Sequence, residues 1–179
     1  MGHVLDAFTS ALIGTAGLSL IACVALFLAW SRRPQTAHPD AERRTIGLFV
    51  VGIFLQCAHF AEEYATGFYR LFPTALGLTP WSARFFIAFN LTWLGIWAWA
   101  AFAVRTRSRA AYSAIWFFAL AAVLNGVAHP LLAIRAGGYF PGLLTAPLLG
   151  VVGGWLFVRL LDITDGTPKG GHDRQPPLT

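Results

Sequence analysis

Five long apolar stretches constrain the fold of this chain more than any other feature of its sequence. A run of roughly 18 or more mainly apolar residues is long enough to cross the hydrocarbon core of a bilayer as one helix. The segments between the runs are short and carry most of the arginines. We predict five membrane-spanning helices over residues 8–30, 45–66, 80–104, 109–134 and 142–161.

The composition excludes most other classes of protein. Hydrophobic residues make up 56% of the chain and charged residues only 12%, whereas soluble domains are about 25% charged. This balance excludes a soluble globular enzyme and an intrinsically disordered protein. Cys23 and Cys57 both lie in apolar stretches, so a disulfide-based fold is excluded as well. We therefore expect an all-α bundle of five transmembrane helices, with a single domain over residues 1–161 and a disordered polar tail over 162–179.

The distribution of basic residues predicts how the bundle sits in a membrane. The net charge is +5 at pH 7, but the arginines lie between the apolar stretches rather than on one helix face, so we expect no nucleic-acid partner. They concentrate in the first and third loops and in the tail, whereas the opposite side carries only Arg70, Arg84 and Arg135. The positive-inside rule then places the N-terminus outside and the C-terminus in the cytoplasm, in the inner membrane of the cell.

Ionisable and amide side chains within the predicted spans mark the candidate site. A charged group at such depth costs several kcal/mol, so it is rare there unless it lines a cavity or a binding site. The side chains concerned are Gln56, His59, Glu62 and Glu63 in the second span, Asn90 in the third, and Asn125 and His129 in the fourth.

The spacing and depth of these residues bring them together. His59, Glu62 and Glu63 are separated by three and four positions, so their side chains project from one side of a helix. Asn125 and His129 are likewise one turn apart. With a rise of about 1.5 Å per residue, all of them fall in one slab in the outer half of the membrane. We therefore predict a single polar site between the second, third and fourth spans.

The motifs that contain these residues resemble those of a known family. Residues 59–63 (HFAEE) are similar to the signature of the HXXEE-motif family of small prokaryotic integral membrane proteins, and residues 125–129 (NGVAH) to its downstream Asn-x-x-x-His. Residues 139–142 (YFPG) resemble a further Tyr-x-Pro-Gly element of that family. The resemblance covers roughly the second to the fifth span and supports a functional site at these motifs. It implies no particular reaction, because the family has no settled activity.

A metal site is one chemical interpretation of these residues. Histidine and glutamate at helical spacing are good ligands for zinc or iron, and a divalent ion would offset the cost of buried carboxylates. In this hypothesis His59, Glu63 and His129 bind the metal. Glu62 then acts as general base toward a bound water. The protein would be a metal-dependent hydrolase or oxidoreductase that acts on a lipophilic small molecule dissolved in the lipid bilayer.

Metal-free acid–base chemistry is the second interpretation. Four ionisable residues would then be the catalytic groups, namely His59, Glu62, Glu63 and His129. They would share a proton and protonate or deprotonate a lipophilic molecule. Five spans with His and Glu on the second are broadly similar to sterol isomerases of the emopamil-binding type, which implies an isomerase. In either interpretation, we predict that the substrate is bound by Gln56, Asn90, Trp93, Trp97 and Asn125.

Two non-enzymatic interpretations stay open. Buried Glu and His pairs also serve as proton or metal relays, so a small ion or metal transporter or binding protein is the alternative function. The polar groups could instead hold the bundle together by interhelical hydrogen bonds. Small residues also recur every fourth position near the fifth span and predict close helix packing or a homodimer. They are Gly142, Ala146, Gly150 and Gly154.

Overall fold

The computed structural model describes residues 2–32, 34 and 39–164, and within these residues every regular element is helical. The predicted all-α fold is therefore confirmed for this part of the chain. Residues 165–179 of the predicted tail lie outside the described residues, and the last helix continues slightly beyond the predicted domain boundary. The helices are α1 (Gly2–Ser31), α2 (Pro39–Thr66), α3 (Phe68–Ala75), α4 (Ala83–Ala103) with a 3₁₀ turn (Val104–Thr106), α5 (Arg109–Ala136) and α6 (Ala146–Ile163).

Five of these helices, α1, α2, α4, α5 and α6, are long and apolar enough to cross a membrane. The prediction of five spanning helices is confirmed, and it indicates a multi-pass membrane protein. The orientation with the N-terminus outside stays a prediction from the charge distribution.

Several helix starts differ from those predicted, and for α2 and α4 the reason is local. α2 begins at Pro39, six positions earlier than expected, because proline suits the first position of a helix and two carboxylates in the first turn favour the positive end of the helix dipole. α4 begins after Ser82 rather than at Pro80. The Ser82 hydroxyl accepts a hydrogen bond of 3.2 Å from the Phe85 amide and so caps the helix.

The short helix α3 lies in a segment that we expected to be a simple connection. Gly67 has a φ of 81°, so the chain turns sharply where α2 ends. Phe68 and Phe72 then stack with their ring centroids 4.8 Å apart. The Phe68 ring also lies 5.3 Å from the ring of His129. α3 therefore brings aromatic side chains against one of the predicted site residues.

α5 is the central helix of the bundle. It packs against α1, α4 and α6, whereas α2 packs against α4 and α6. The Phe118 ring of α5 lies 5.3 Å from Phe49 of α2 and 5.0 Å from Trp97 of α4, in both cases edge to face. These buried aromatic contacts hold α2 and α5 on opposite sides of a shared interior. His59 and Glu63 of α2 and His129 of α5 are buried in the bundle.

α5 and α6 approach each other closely where two glycines meet. A Cβ atom built on Gly126 of α5 would lie 2.7 Å from the Cα of Gly150 on α6, which is closer than atoms can pack. Ala146 is fully buried at the same contact. The predicted close packing is therefore seen for Ala146 and Gly150 within one chain, whereas Gly154 has room beside it for a Cβ atom. The homodimer through the same residues stays a prediction.

This contact predicts unequal effects of two alanine substitutions on α6. In Gly150→Ala the added methyl group meets the α5 backbone, so we expect the free energy of unfolding to fall by about 1–3 kcal/mol. Gly154→Ala is the matched control, because its nearest neighbour, a methyl of Val123, is 4.0 Å away. Thermal unfolding in detergent measures both. Equal unfolding midpoints for the two variants would contradict the packing.

Candidate functional site

Three buried side chains from two helices form the centre of the site. His59 and Glu63 lie one turn apart on α2, and His129 lies on α5. Glu63 Oε1 is 3.5 Å from His59 Nε2 and 3.4 Å from His129 Nε2. The exposed fractions are 0% for His59, 6% for Glu63 and 2% for His129. The structure thus brings together the three residues that the metal hypothesis selected.

Glu62 has different surroundings from Glu63, although the two are adjacent in sequence. Its carboxylate accepts four hydrogen bonds from the segment between α5 and α6, residues 137–145, which we call the α5–α6 loop. Glu62 Oε1 accepts from the Tyr139 hydroxyl (2.7 Å) and the Leu144 amide (3.0 Å). Glu62 Oε2 accepts from the amide (3.0 Å) and hydroxyl (2.6 Å) of Thr145. These bonds engage a carboxylate that we expected to act as a general base.

The Tyr139 hydroxyl is a good hydrogen-bond donor to the Glu62 carboxylate. Burial and the hydrogen bond to Glu62 raise the pKa of the Tyr139 phenol above its ordinary value. The phenol therefore stays protonated at neutral pH and donates a hydrogen bond to the Glu62 carboxylate.

The hydrogen bonds of the loop also determine which nitrogen of each histidine carries a proton. His129 Nδ1 lies 2.6 Å from the carbonyl oxygen of Pro141. Because a carbonyl oxygen only accepts, His129 Nδ1 must be the donor. In the neutral imidazole, Nε2 then carries a lone pair, and this lone pair is on the side of Glu63.

The same reasoning applies to His59 through a chain of two hydrogen bonds. His59 Nδ1 lies 2.8 Å from the Thr145 hydroxyl oxygen. The single hydroxyl proton of Thr145 is donated to Glu62, so the hydroxyl oxygen accepts from His59 Nδ1. His59 Nε2 is then also an unprotonated acceptor in the neutral ring.

Three acceptor atoms therefore converge on one small volume. Glu63 Oε1 lies within 3.5 Å of both Nε2 atoms, and one ligand atom from each of the three side chains lies within 4.8 Å of the other two. His59 Nε2 is buried, and among the described residues no group forms a hydrogen bond with it. Lone pairs that face each other repel unless a cation lies between them. The cluster could therefore hold a metal ion.

Gly142 makes room for both imidazole rings. It has a φ of 88°, which favours glycine. A Cβ atom at this position would overlap the His129 ring and lie 2.9 Å from Cε1 of His59. Three residues of the 139–142 element thus contact the site, since Tyr139 bonds to Glu62, Pro141 accepts from His129 and Gly142 lies against both rings. α6 starts only at Ala146 because this loop contacts the site instead of continuing the helix.

An elongated cavity of about 380 Å³ opens from the cluster. Glu63 and His129 line one part of it, and the amide side chains of Gln56, Asn90 and Asn125 line other parts. The Asn90 side-chain amide donates a hydrogen bond of 3.0 Å to a backbone carbonyl one turn earlier, which leaves its carbonyl oxygen available. All three amides selected from the sequence therefore reach the same space.

Aromatic rings form the rest of the wall. Trp93 and Trp97, both selected from the sequence, line the cavity with their rings stacked 5.8 Å apart. The Trp93 ring also stacks on Phe117 of α5 at 4.2 Å. The lining further includes Phe86 and Phe89. Such a surface binds apolar molecules.

A known protein family matches the part of the chain that contains most of the site residues. The family described as "Protein of unknown function with HXXEE motif" matches residues 48–156. This range contains both glutamates and both histidines of the site as well as the α5–α6 loop. The chain belongs to the HXXEE family. No curated protein and no solved structure matches the chain significantly.

Sequence reasoning missed Thr145 and Pro141, which orient the two histidines. One of them acts through its backbone carbonyl and the other through a hydroxyl of a common residue type, so neither has a chemical signature in the sequence. The only signal was the Tyr-x-Pro-Gly element at residues 139–142, which ends three positions before Thr145.

The hydrogen-bond chain predicts a tautomer change when one hydroxyl is removed. In Thr145→Val, His59 Nδ1 loses its acceptor, so we expect the proton to move to Nε2, where Glu63 can accept it. Nitrogen-15 NMR of the chelator-treated protein reports the protonated nitrogen of each ring. His129 should keep its proton on Nδ1, since its acceptor is a backbone carbonyl.

Thr66→Val is the control for this substitution. The Thr66 hydroxyl donates to the backbone carbonyl of Glu62 within α2, at 2.7 Å, and has no bond to a histidine. We expect wild-type spectra for both imidazoles in this variant. A His59 spectrum that is unchanged in Thr145→Val would contradict the assigned tautomer.

Proposed function

We propose that the protein is a metal-dependent hydrolase, embedded in the inner membrane of the cell, that acts on a lipophilic substrate. The observation that carries this proposal is the convergence of two imidazole Nε2 atoms and one carboxylate oxygen. The Nδ1 atom of each imidazole donates a hydrogen bond to an acceptor in the α5–α6 loop. Histidines that donate their second nitrogen in this way are typical of metal sites, because that bond orients the ring and sets the tautomer.

The two separations between the Glu63 oxygen and the imidazole nitrogens support zinc. Ligand atoms about 2.0–2.2 Å from a tetrahedral zinc ion lie about 3.3–3.5 Å apart, whereas neighbouring ligands of an octahedral ion lie about 3 Å apart. Glu63 Oε1 is 3.5 Å and 3.4 Å from the two Nε2 atoms. Two histidines and one glutamate are also the donor set of one class of zinc hydrolases.

A proton in place of the metal is less consistent with these distances. A charge-assisted hydrogen bond between an imidazolium nitrogen and a carboxylate is about 2.7–2.9 Å long. The two N–O separations in the cluster, 3.4 Å and 3.5 Å, are both longer than this. The metal-free acid–base mechanism is therefore not the one that we propose.

The roles of the chain's own residues follow from their positions. A bound metal would supply Lewis-acid chemistry toward an oxygen of the substrate. His59, Glu63 and His129 would hold it, and the last two also line the cavity in which the substrate would bind. Gln56, Asn90 and Asn125 would orient polar groups of the substrate through neutral hydrogen bonds.

Glu62 would serve as a positioning residue rather than as a base. Its carboxylate fixes the Thr145 hydroxyl as an acceptor, and that hydroxyl fixes the ring of His59. Partners of this kind, which hold a metal ligand in place, change metal affinity by about 10- to 100-fold when they are removed.

Metal analysis of the purified protein tests the first part of the proposal. We expect about one zinc ion per wild-type chain after purification in detergent from zinc-supplemented cells. Glu63→Gln removes the only charged ligand and should lose the metal. Glu42→Gln is the matched control, because Glu42 lies at the other end of α2 and pairs with Arg107 at 3.9 Å. Absence of metal from the wild type, or equal zinc in Glu63→Gln, would overturn the metal site.

A hydrolysis assay tests the second part. Fluorogenic esters with long alkyl chains should be hydrolysed by the wild type and by Glu42→Gln. A chelator should stop the reaction, and Glu63→Gln should lack it. Hydrolysis that survives in Glu63→Gln would show that another site is responsible, and zinc without any hydrolysis would reduce the proposal to metal binding.

A further inference from the structure

The cavity extends far beyond the cluster. Its wall follows α4 from Phe86 to Trp97, which is about 16 Å at a rise of 1.5 Å per residue. Side chains of α1, α3 and α5 complete the wall, and most of them are apolar or aromatic. A long, mainly apolar space with a few uncharged polar side chains in its wall fits a hydrocarbon chain with a small head group.

The polar groups along the cavity indicate the charge of that head group. Gln56, Asn90 and Asn125 offer neutral carboxamides, and Glu63 is negatively charged when ionised. Among the described residues that line the cavity, none is lysine or arginine. Phosphate and sulfate groups are bound by such cationic side chains. The lining instead matches an uncharged head group that accepts and donates hydrogen bonds.

An opening in the wall lies between α1 and α4. Both helices pack along α5, but in the described part of the chain they have hardly any contacts with each other. Some lining residues on both sides of this boundary are exposed. Ile13 on α1 is 52% exposed and Phe85 on α4 is 37% exposed. Gly17 on α1 is exposed as well, and no atom lies within 4 Å of the place where its Cβ would be.

Two contacts close the gap at one end of the opening. The Ser10 hydroxyl donates a hydrogen bond of 2.6 Å to the backbone carbonyl of Thr79, in the segment before α4. The Trp81 indole packs directly against Gly14, where a Cβ atom would overlap it. α1 is thus held to the rest of the bundle near residues 10–14, whereas the boundary beside Gly17 has no such contact among the described residues.

From these observations we infer that the substrate is a long-chain neutral lipid, such as an ester or amide, that enters the cavity sideways between α1 and α4 past Gly17. The hydrocarbon chain lies along the aromatic wall of α4. The uncharged head group lies beside the carboxamides and the His/Glu cluster. This inference rests on the proposed function for the reaction at the head group, but the binding of the chain stands on the cavity alone.

Photolabelling of the full-length protein in detergent tests the inference. The probe is a long-chain alcohol that carries a diazirine in its tail, and mass spectrometry identifies the labelled peptides. We expect labelling at α1 and α4 residues of the cavity, such as Phe89 and Trp93. An excess of the unlabelled alcohol should suppress it. The phosphate monoester of the same alcohol should not, because none of the described lining residues is cationic.

Two phenylalanine variants test the route. Gly17→Phe places a ring in the opening, so we expect the suppressible labelling to fall about tenfold, because each methylene kept out of the cavity weakens binding several-fold. Gly95→Phe is the matched control. Gly95 on α4 also has open space around its Cβ position, but it does not line the cavity. We expect wild-type labelling in this variant.

The Glu63→Gln variant separates this inference from the proposed function. We expect it to lose zinc and hydrolysis while it keeps the suppressible labelling of the tail. Labelling without zinc in the wild type would overturn only the proposed function. Equal labelling in Gly17→Phe and Gly95→Phe would overturn the route, and equal suppression by the phosphate ester would overturn the neutral head group.

Discussion

Four hydrogen bonds between Glu62 and the α5–α6 loop hold the site together. Glu62 belongs to α2, and the loop joins the two helices that pack most closely on each other, so these bonds connect three of the spanning helices. They also place the carbonyl of Pro141 and the hydroxyl of Thr145 beside the two histidines. A carboxylate within a membrane-spanning helix is costly, and four donors are what stabilise it there.

The adjacent residue Glu63 has the opposite surroundings, because acceptor atoms rather than donors face its carboxylate. Successive residues of a helix are rotated by about 100°, so Glu63 faces the interior while Glu62 faces the loop. The loop directs both imidazole Nε2 atoms toward the Glu63 carboxylate, which has no strong donor of its own among the described contacts. One glutamate is therefore saturated with hydrogen bonds, and its neighbour lies among acceptors. A cation between those acceptors, beside an aromatic cavity, is the chemical basis of the proposed hydrolase.

Much of the fold and part of the site could be predicted from local physical chemistry. Span lengths follow from the hydropathy of consecutive residues, and the pairing of His59 with Glu63 follows from a separation of one helical turn. Their similar predicted depth in the bilayer was enough to predict that His129 lies beside them. The short amphipathic helix α3 was missed, because eight residues are too few to mark a span and a connecting segment was expected there. Glu62 was predicted to lie with Glu63 in the cluster, because residues three and four positions after His59 share a broad helix face. In the structure it bonds to the α5–α6 loop instead.

The sequence alone determined the membrane class, the five helices, and the type and spacing of the site residues, because each of these depends on side chains within one helix and on their preference for lipid or water. Only the tertiary structure decided the tautomers of the histidines, the partners of Glu62 and the shape of the cavity. These features depend on atoms from different helices that lie within 3 Å of one another. Their positions are set by close packing, such as that of Gly126 on Gly150, and by the path of the α5–α6 loop.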